Sequence, residues 1–331
     1  MLVETSELAM TDVAFAAGFS SVRTFNETVR EVFALTPTEL RERAARGRTP
    51  AGPGALTLRL PFRKPLSPDG LFGFLAADAV PGVEEWRDGA YRRTLRLPYG
   101  RGTVALAPRP DHVECRLALT DQRDLAGAIS RCRRLLDLDA DPEAVDALLA
   151  ADARLAPLVR ASPGHRVPRT ADPEELAIRA VLGRRASVAR LVAAHGEPLA
   201  VPDGGLTHLF PTAEALAALE PEALAVPAGR RAAVARTAAA LASGALDLGA
   251  GGDWSRARAV LGALPGVGPA TVEVIAMRAL GDPDAFPAAD PAVRRAAARV
   301  GLPAAPGALT RHAAAWRPWR AYAVRYLCGE G

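Results

Sequence analysis

The stretch Leu264-Pro265-Gly266-Val267-Gly268-Pro269-Ala270-Thr271 lies between one apolar-periodic helix ending near Ala263 and another running from about Ala270 to Leu280. It reads as a helix–hairpin–helix. Two glycines two residues apart allow a turn at positive φ and bring backbone N–H groups against a phosphate, and the following helix adds the positive end of its dipole. Such a hairpin (Leu264, Pro265, Gly266, Val267, Gly268) holds DNA through the backbone without reading bases. An ordinary Gly-rich turn is the other reading of a lone G-x-G, but the full L-P-G-V-G with helices on both sides is far rarer.

About twenty residues downstream comes Phe286-Pro287-Ala288-Ala289-Asp290-Pro291, with Asp290 directly before a helix. Taken alone, Asp followed by Pro at a helix start is a capping pair. Trp316 and Trp319, three apart, read as core packing. Arg317 and Arg320 beside them suit either phosphate contact or a solvated helix face. Upstream as far as about Asp141 the text is Ala- and Leu-rich helix broken by Gly and Pro, so residues 141–331 read as all helical.

From Leu56 to Leu119 the apolar period changes to two: Leu56, Leu58, Leu60, then Tyr91, Leu95, Leu97, then Val104, Leu106, then Val113, Cys115, Leu117. Residues 55–140 therefore read as a small antiparallel sheet with covering helices near Leu71–Ala79 and Asp121–Leu136, an α+β unit. Arg43 to Gly54 (RAARGRTPAGPG) has lost all apolar period and reads as a linker. The first 42 residues read as two helices, about Asp12–Ala17 and Val22–Phe33, with Ser20 or Ser21 capping the second.

The 331 residues, 49% hydrophobic and 24% charged, exclude disorder as the main state and give the length of about two domains. No uninterrupted apolar run approaches ~20 residues and no signal peptide opens the chain, so it reads as cytoplasmic. Cys115, Cys132 and Cys328 are too few for a zinc ribbon or a four-cysteine iron–sulfur cluster. The formal charge of +4 suits a polyanionic partner. Lys64 is the one lysine, so no amine side chain lies beyond residue 64.

The hairpin, the F-P-x-x-D after it, and Trp316-Arg317-Pro318-Trp319 resemble the helix–hairpin–helix DNA glycosylase superfamily, nearest to AlkA-type 3-methyladenine DNA glycosylase II. The resemblance extends through Leu71-Phe72-Gly73-Phe74-Leu75-Ala76, Pro163-Gly164-His165-Arg166-Val167-Pro168 and Ile178-Arg179-Ala180-Val181-Leu182-Gly183, covering about Leu56 to Gly331. It implies a bundle that clamps duplex DNA while an alkylated purine is flipped into a cleft. It also implies Asp290 as the catalytic carboxylate that stabilises an oxocarbenium-like sugar. Strand-cutting members use an amine, usually a lysine just after the second hairpin glycine, where this chain has Ala270. A monofunctional enzyme without lyase activity is expected. No organic cofactor is called for, and the resemblance allows a monovalent cation on carbonyls of the Leu264–Gly268 hairpin.

The chain departs from the family where the base pocket is aromatic: Ala270, Val274, Pro291 and Cys328 stand there, and Phe74 alone persists. Where the family has a Gln and an apolar wedge, this chain has Arg184 and Arg185, which fit either gap-filling or a salt-bridged surface pair. Arg185 to Gly196 reads as a helix about two turns shorter than the family's, a deletion that would damage the DNA-facing bundle.

Ala14 to Arg41 resembles the last helix–turn–helix of the AraC transcription-factor family, with Val22–Phe33 as recognition helix and Arg23, Thr24 and Asn26 facing a major groove. Joined to a glycosylase, this resembles the Ada–AlkA fusion regulators, without their cysteine-rich methyl acceptor. The chain start is read as cutting such a parent in mid-domain. The expectation is thus a monomeric base excision enzyme acting on duplex DNA with alkylated purines. The alternative is a non-catalytic DNA-binding or transcription-regulatory protein, or a decayed glycosylase of the adaptive alkylation response.

Overall fold

The computed structural model describes residues 8–33, 36–39 and 55–329. The expected linker, Arg43–Gly54, lies outside them. Its contacts divide the chain into two compact units, residues 1–61 with 86–130, and residues 62–85 with 131–331.

The first unit opens with α1 (Met10–Ala16) and α2 (Val22–Phe33). Gly18, at φ +84°, closes α1, with the Phe19 N–H donating to the Ala14 carbonyl and the Gly18 N–H to that of Phe15. This is the paired bonding of a Schellman turn, which only a residue at ease at positive φ completes cheaply. Ser21 then caps α2, its Oγ accepting from the Thr24 N–H at 3.1 Å. Val13, Ala14, Phe25 and Val29 form the small core of the pair. Further on, Thr36 and Glu39 exchange side-chain-to-backbone bonds as a capping box.

A five-stranded antiparallel sheet follows, β1 (Ala55–Pro61), β2 (Glu84–Arg87), β3 (Ala90–Arg96), β4 (Arg101–Pro108) and β5 (His112–Leu119), in the order β1-β5-β4-β3-β2. Register sets Leu58 opposite Cys115, Cys115 opposite Leu106, and Leu106 opposite Tyr91, a buried row across four strands. The period-two reading is this row and its neighbours.

Of the two helices expected to cover the sheet, one groups elsewhere. The helix read over the sheet, α3 (Pro68–Asp78), groups with the helical unit, where Arg325 Nη2 donates to the Gly70 carbonyl at 3.0 Å. Leu71, Phe72, Phe74 and Leu75 put apolar groups on most of its faces, so its periodicity does not say which layer it joins. Of the second covering helix, α4 (Leu125–Leu135), residues up to Ser130 stay with the sheet unit.

The helical unit contains α5 (Pro142–Leu149), α6 (Ala156–Ala161), α7 (Pro173–Leu182), α8 (Arg185–His195), then β6 (Glu197–Asp203) and β7 (Leu206–Leu209). After them come α9 (Ala213–Ala217), α10 (Ala228–Ala242), α11 (Trp254–Ala263), α12 (Pro269–Ile275), α13 (Pro291–Arg299), α14 (Pro306–His312) and α15 (Arg320–Cys328). The expectation of an all-helical segment is overturned by the β6–β7 hairpin, which turns at Gly204 (φ +65°) with Asp203 opposite Leu206. β6 is exposed almost throughout and carries two prolines, so no buried alternation announced it; its one sign is the Asp-Gly pair at the turn. α8 buries Val188, Leu191 and Val192 in the core of this unit.

Two apolar clusters meet along one helix. Ile275 and Ala279 belong to the cluster of α7, α8, α10 and α11, whereas Ala276 and Met277 belong to that of α5, α13, α14 and α15. Between them α12 widens into a π-helical segment, Ala276–Leu280. Trp316 is fully buried with its Nε1 donating to Asp152 at 2.7 Å, as the core reading requires. Trp319 is half-buried and caps α15, so the two tryptophans do not share a helix.

Candidate active site

The hairpin joins α11 to α12. Gly266 takes φ +92°, and a Cβ built there would lie 2.9 Å from the Cβ of Ala233 on α10. Gly268 instead has φ −82°, the N-cap of α12, with open space where its Cβ would be. The expectation that both glycines supply positive φ therefore holds for Gly266 alone. Gly268 contributes by leaving room. Among the described residues the N–H groups of Gly268, Ala270 and Thr271 donate to no other backbone group, while the Val267 and Val272 N–H groups are used internally. Free N–H groups at a helix start, beside a residue without a side chain, are what an anionic oxygen needs.

Asp290 caps α13. Its Oδ1 accepts from the N–H of Ala292 at 2.7 Å and from that of Val293 at 3.3 Å. Its Oδ2 accepts from no described residue, and the carboxyl lines a cleft of about 230 Å³. The same cleft is bordered by Ala270, Thr271 and Val274 of α12, by Arg278, and by Asp78, Arg179 and Arg185. One carboxylate thus serves as a cap through one oxygen and borders a cavity beside the hairpin's helix.

Sequence reasoning missed the ionic cluster here. Arg179 bonds Glu84 and Glu175 at 2.9 Å each and Asp78 at 3.2 Å. Burial pulls its guanidinium down, but these three carboxylates outweigh it and raise its pKa well above the usual arginine value. Arg278 Nε donates to the Pro168 carbonyl at 2.9 Å and Nη1 to Asp78 at 3.4 Å, whereas Nη2 has no described partner. Burial lowers Arg278, an effect that Asp78 partly offsets.

Phe74 is not among the residues bordering the cleft. Its ring is taken by two guanidinium groups, with Arg278 at 4.8 Å and Arg325 at 4.5 Å from the centroid. Arg184 and Arg185 are both exposed, and neither pairs with a described carboxylate. Arg185 donates to the Ala77 carbonyl at 2.9 Å and reaches the cleft. Arg320 is committed to Asp284 by a fork at 2.7 and 2.8 Å, while Arg317 stays 62% exposed. On α2, Arg23, Thr24 and Asn26 are exposed; Arg23 pairs with Glu27 at 3.0 Å and Thr24 Oγ1 bonds Ser21 at 2.9 Å. No group of three or more metal-ligating side chains occurs among the described residues, and none of their helices is long and apolar enough to cross a membrane.

The fold is that of helix–hairpin–helix DNA glycosylases. A 3-methyladenine DNA glycosylase from Archaeoglobus fulgidus superposes with a TM-score of 0.70 at 20% identity, covering 82% of this chain and 97% of that one. An 8-oxoguanine glycosylase/lyase from Clostridium acetobutylicum superposes at 0.64, with 16% identity, over 85% of this chain and 97% of that one. The AlkA N-terminal domain family matches residues 57–172. A Mycobacterium tuberculosis protein described as a probable bifunctional transcriptional activator/DNA repair enzyme AlkA is 56% identical over 99% of this chain and 68% of its own length. The Escherichia coli DNA-3-methyladenine glycosylase 2 is 31% identical over 78% of this chain and 91% of its own. The chain belongs to the AlkA family of DNA glycosylases.

Proposed function

We propose that this chain is a monofunctional DNA glycosylase of base excision repair, hydrolysing the N-glycosidic bond of alkylated purines of the 3-methyladenine type after flipping them from duplex DNA. The observation that carries the reading is Asp290, which borders the cleft and whose Oδ2 accepts from no described residue. As the C1′–N bond breaks, the electron pair leaves with the base and positive charge develops on the sugar. A carboxylate fixed by two helix N–H groups stabilises that charge without reorganising. Water then adds its oxygen to C1′ and loses a proton to solvent or to Oδ2, leaving an abasic sugar.

Strand cleavage would need an amine to attack C1′. Ala270 follows the hairpin, and the cleft's basic groups are all arginines, which supports hydrolysis alone. The hairpin's free N–H groups would hold a backbone phosphate. The Pro265, Gly266 and Val267 carbonyls accept no backbone hydrogen bond from a described residue, so they fit a monovalent cation that would add positive charge beside that phosphate. The enzyme works as a cytoplasmic monomer. The exposed Arg23 and Asn26 of α2 support a second DNA contact, in the regulatory sense of the mycobacterial relative's description. The test is single-turnover release of methylpurines from methylated duplex DNA, with abasic sites revealed by alkali.

A further inference from the structure

The cleft that Asp290 borders lacks the stacking aromatics of an AlkA-type pocket, yet one donor in it is built and unspent. Arg278 is only 14% exposed and is held on one side by the Pro168 carbonyl through Nε and on another by Asp78 through Nη1. Its plane is fixed over Phe74 at 4.8 Å. Nη2 remains without a described partner, on a residue that lines the cleft. Asp78 is in turn clamped by Arg179, so the whole arm is positioned before any base arrives. The residue also stands in the π-helical segment, where one extra residue per turn changes the direction in which side chains leave the helix.

We infer that Arg278 reads the flipped base, donating through Nη2 to the acceptor edge of 6-oxopurines such as alkylated guanine, and so favours them over 6-aminopurines. A guanidinium N–H meets the O6 acceptor of an alkylated guanine favourably, and that acceptor remains when N7 is methylated, whereas the 6-amino group of an alkylated adenine presents a donor to a donor. The inference rests on the glycosylase reading and names the substrate class within it. Ala270 and Val274, which border the same cleft, offer no aromatic face to a cationic base, so hydrogen bonding carries the discrimination.

Dimethyl-sulfate-treated duplex DNA presents 7-methylguanine and 3-methyladenine together, so the ratio of their single-turnover release rates is read within one reaction. Arg278→Met should lower the 7-methylguanine to 3-methyladenine ratio by about tenfold or more. Arg278→Lys, which keeps the charge but loses the planar group that Pro168 and Asp78 hold in place, should shift the ratio in the same direction while retaining the wild-type melting temperature more closely. An unchanged ratio in both variants, whether overall rates fall or hold, overturns the assignment of Arg278 and leaves the glycosylase reading standing. A wild-type protein that releases neither base overturns both.

Discussion

The N–H of Ala292 donates to Asp290 Oδ1 at 2.7 Å, so the carboxylate beside the cleft is oriented by the helix it caps. Capping and catalysis are often treated as rival readings of an Asp-Pro pair. Here one oxygen is spent on the helix, and the other accepts from no described residue, so the cap does not use up the carboxylate.

The two hairpin glycines should respond differently to a side chain. Gly266→Val places a β-branched residue at φ +92° with its Cβ 2.9 Å from that of Ala233, which should cost at least about 2 kcal/mol of stability. Gly268→Val enters open space at φ −82° and should cost under about 1 kcal/mol, while duplex affinity falls because the side chain occupies the phosphate's place. Chemical denaturation and a DNA titration separate the two outcomes.

The arginines after Trp316 should also separate. Arg320→Ala removes a fork on Asp284 and should lower stability by about 1–3 kcal/mol. Arg317→Ala should leave stability within about 0.5 kcal/mol. It should weaken duplex binding and reduce the salt slope of affinity by about one.

Acid should weaken the fold through His165. Burial, with a smaller contribution from Arg325, pushes its imidazole down to about 4 from 6.5. The folded state therefore keeps His165 neutral between those values while the unfolded state protonates it, so stability falls as pH drops from 6.5 to 4 and levels below. The group's share is about 3 kcal/mol. His165→Asn should flatten that part of the stability–pH curve relative to wild type; an identical slope in both proteins contradicts the assignment.

The hairpin was legible because its backbone demands particular residues: a positive-φ turn needs Gly266, and Gly268 leaves open space at the start of the next helix. The cap at Asp290 was legible in its Asp-Pro pair, and its candidate role came from the family resemblance. The β-strands of the first unit announced themselves by alternation, since one face is buried. What stayed hidden shares a different physics. Asp78, Arg179 and Arg278 meet across separations of about 100 to 200 residues, and no local period records a long-range ion pair. The π segment changes hydrogen-bond register without changing composition. Phe74 reads as a pocket aromatic until Arg278 and Arg325 are placed against its ring, and the exposed β6 offers no apolar pattern at all.

The central claim is that Asp290 stabilises the sugar cation, and Asp290→Asn tests it most directly, because asparagine caps a helix about as well as aspartate and preserves the fold. Single-turnover excision on methylated duplex DNA, with released bases identified and melting temperatures matched, should show methylpurine release by the wild type and a loss of at least about a hundredfold in the variant. Equal release by a folded Asp290→Asn protein would contradict the account.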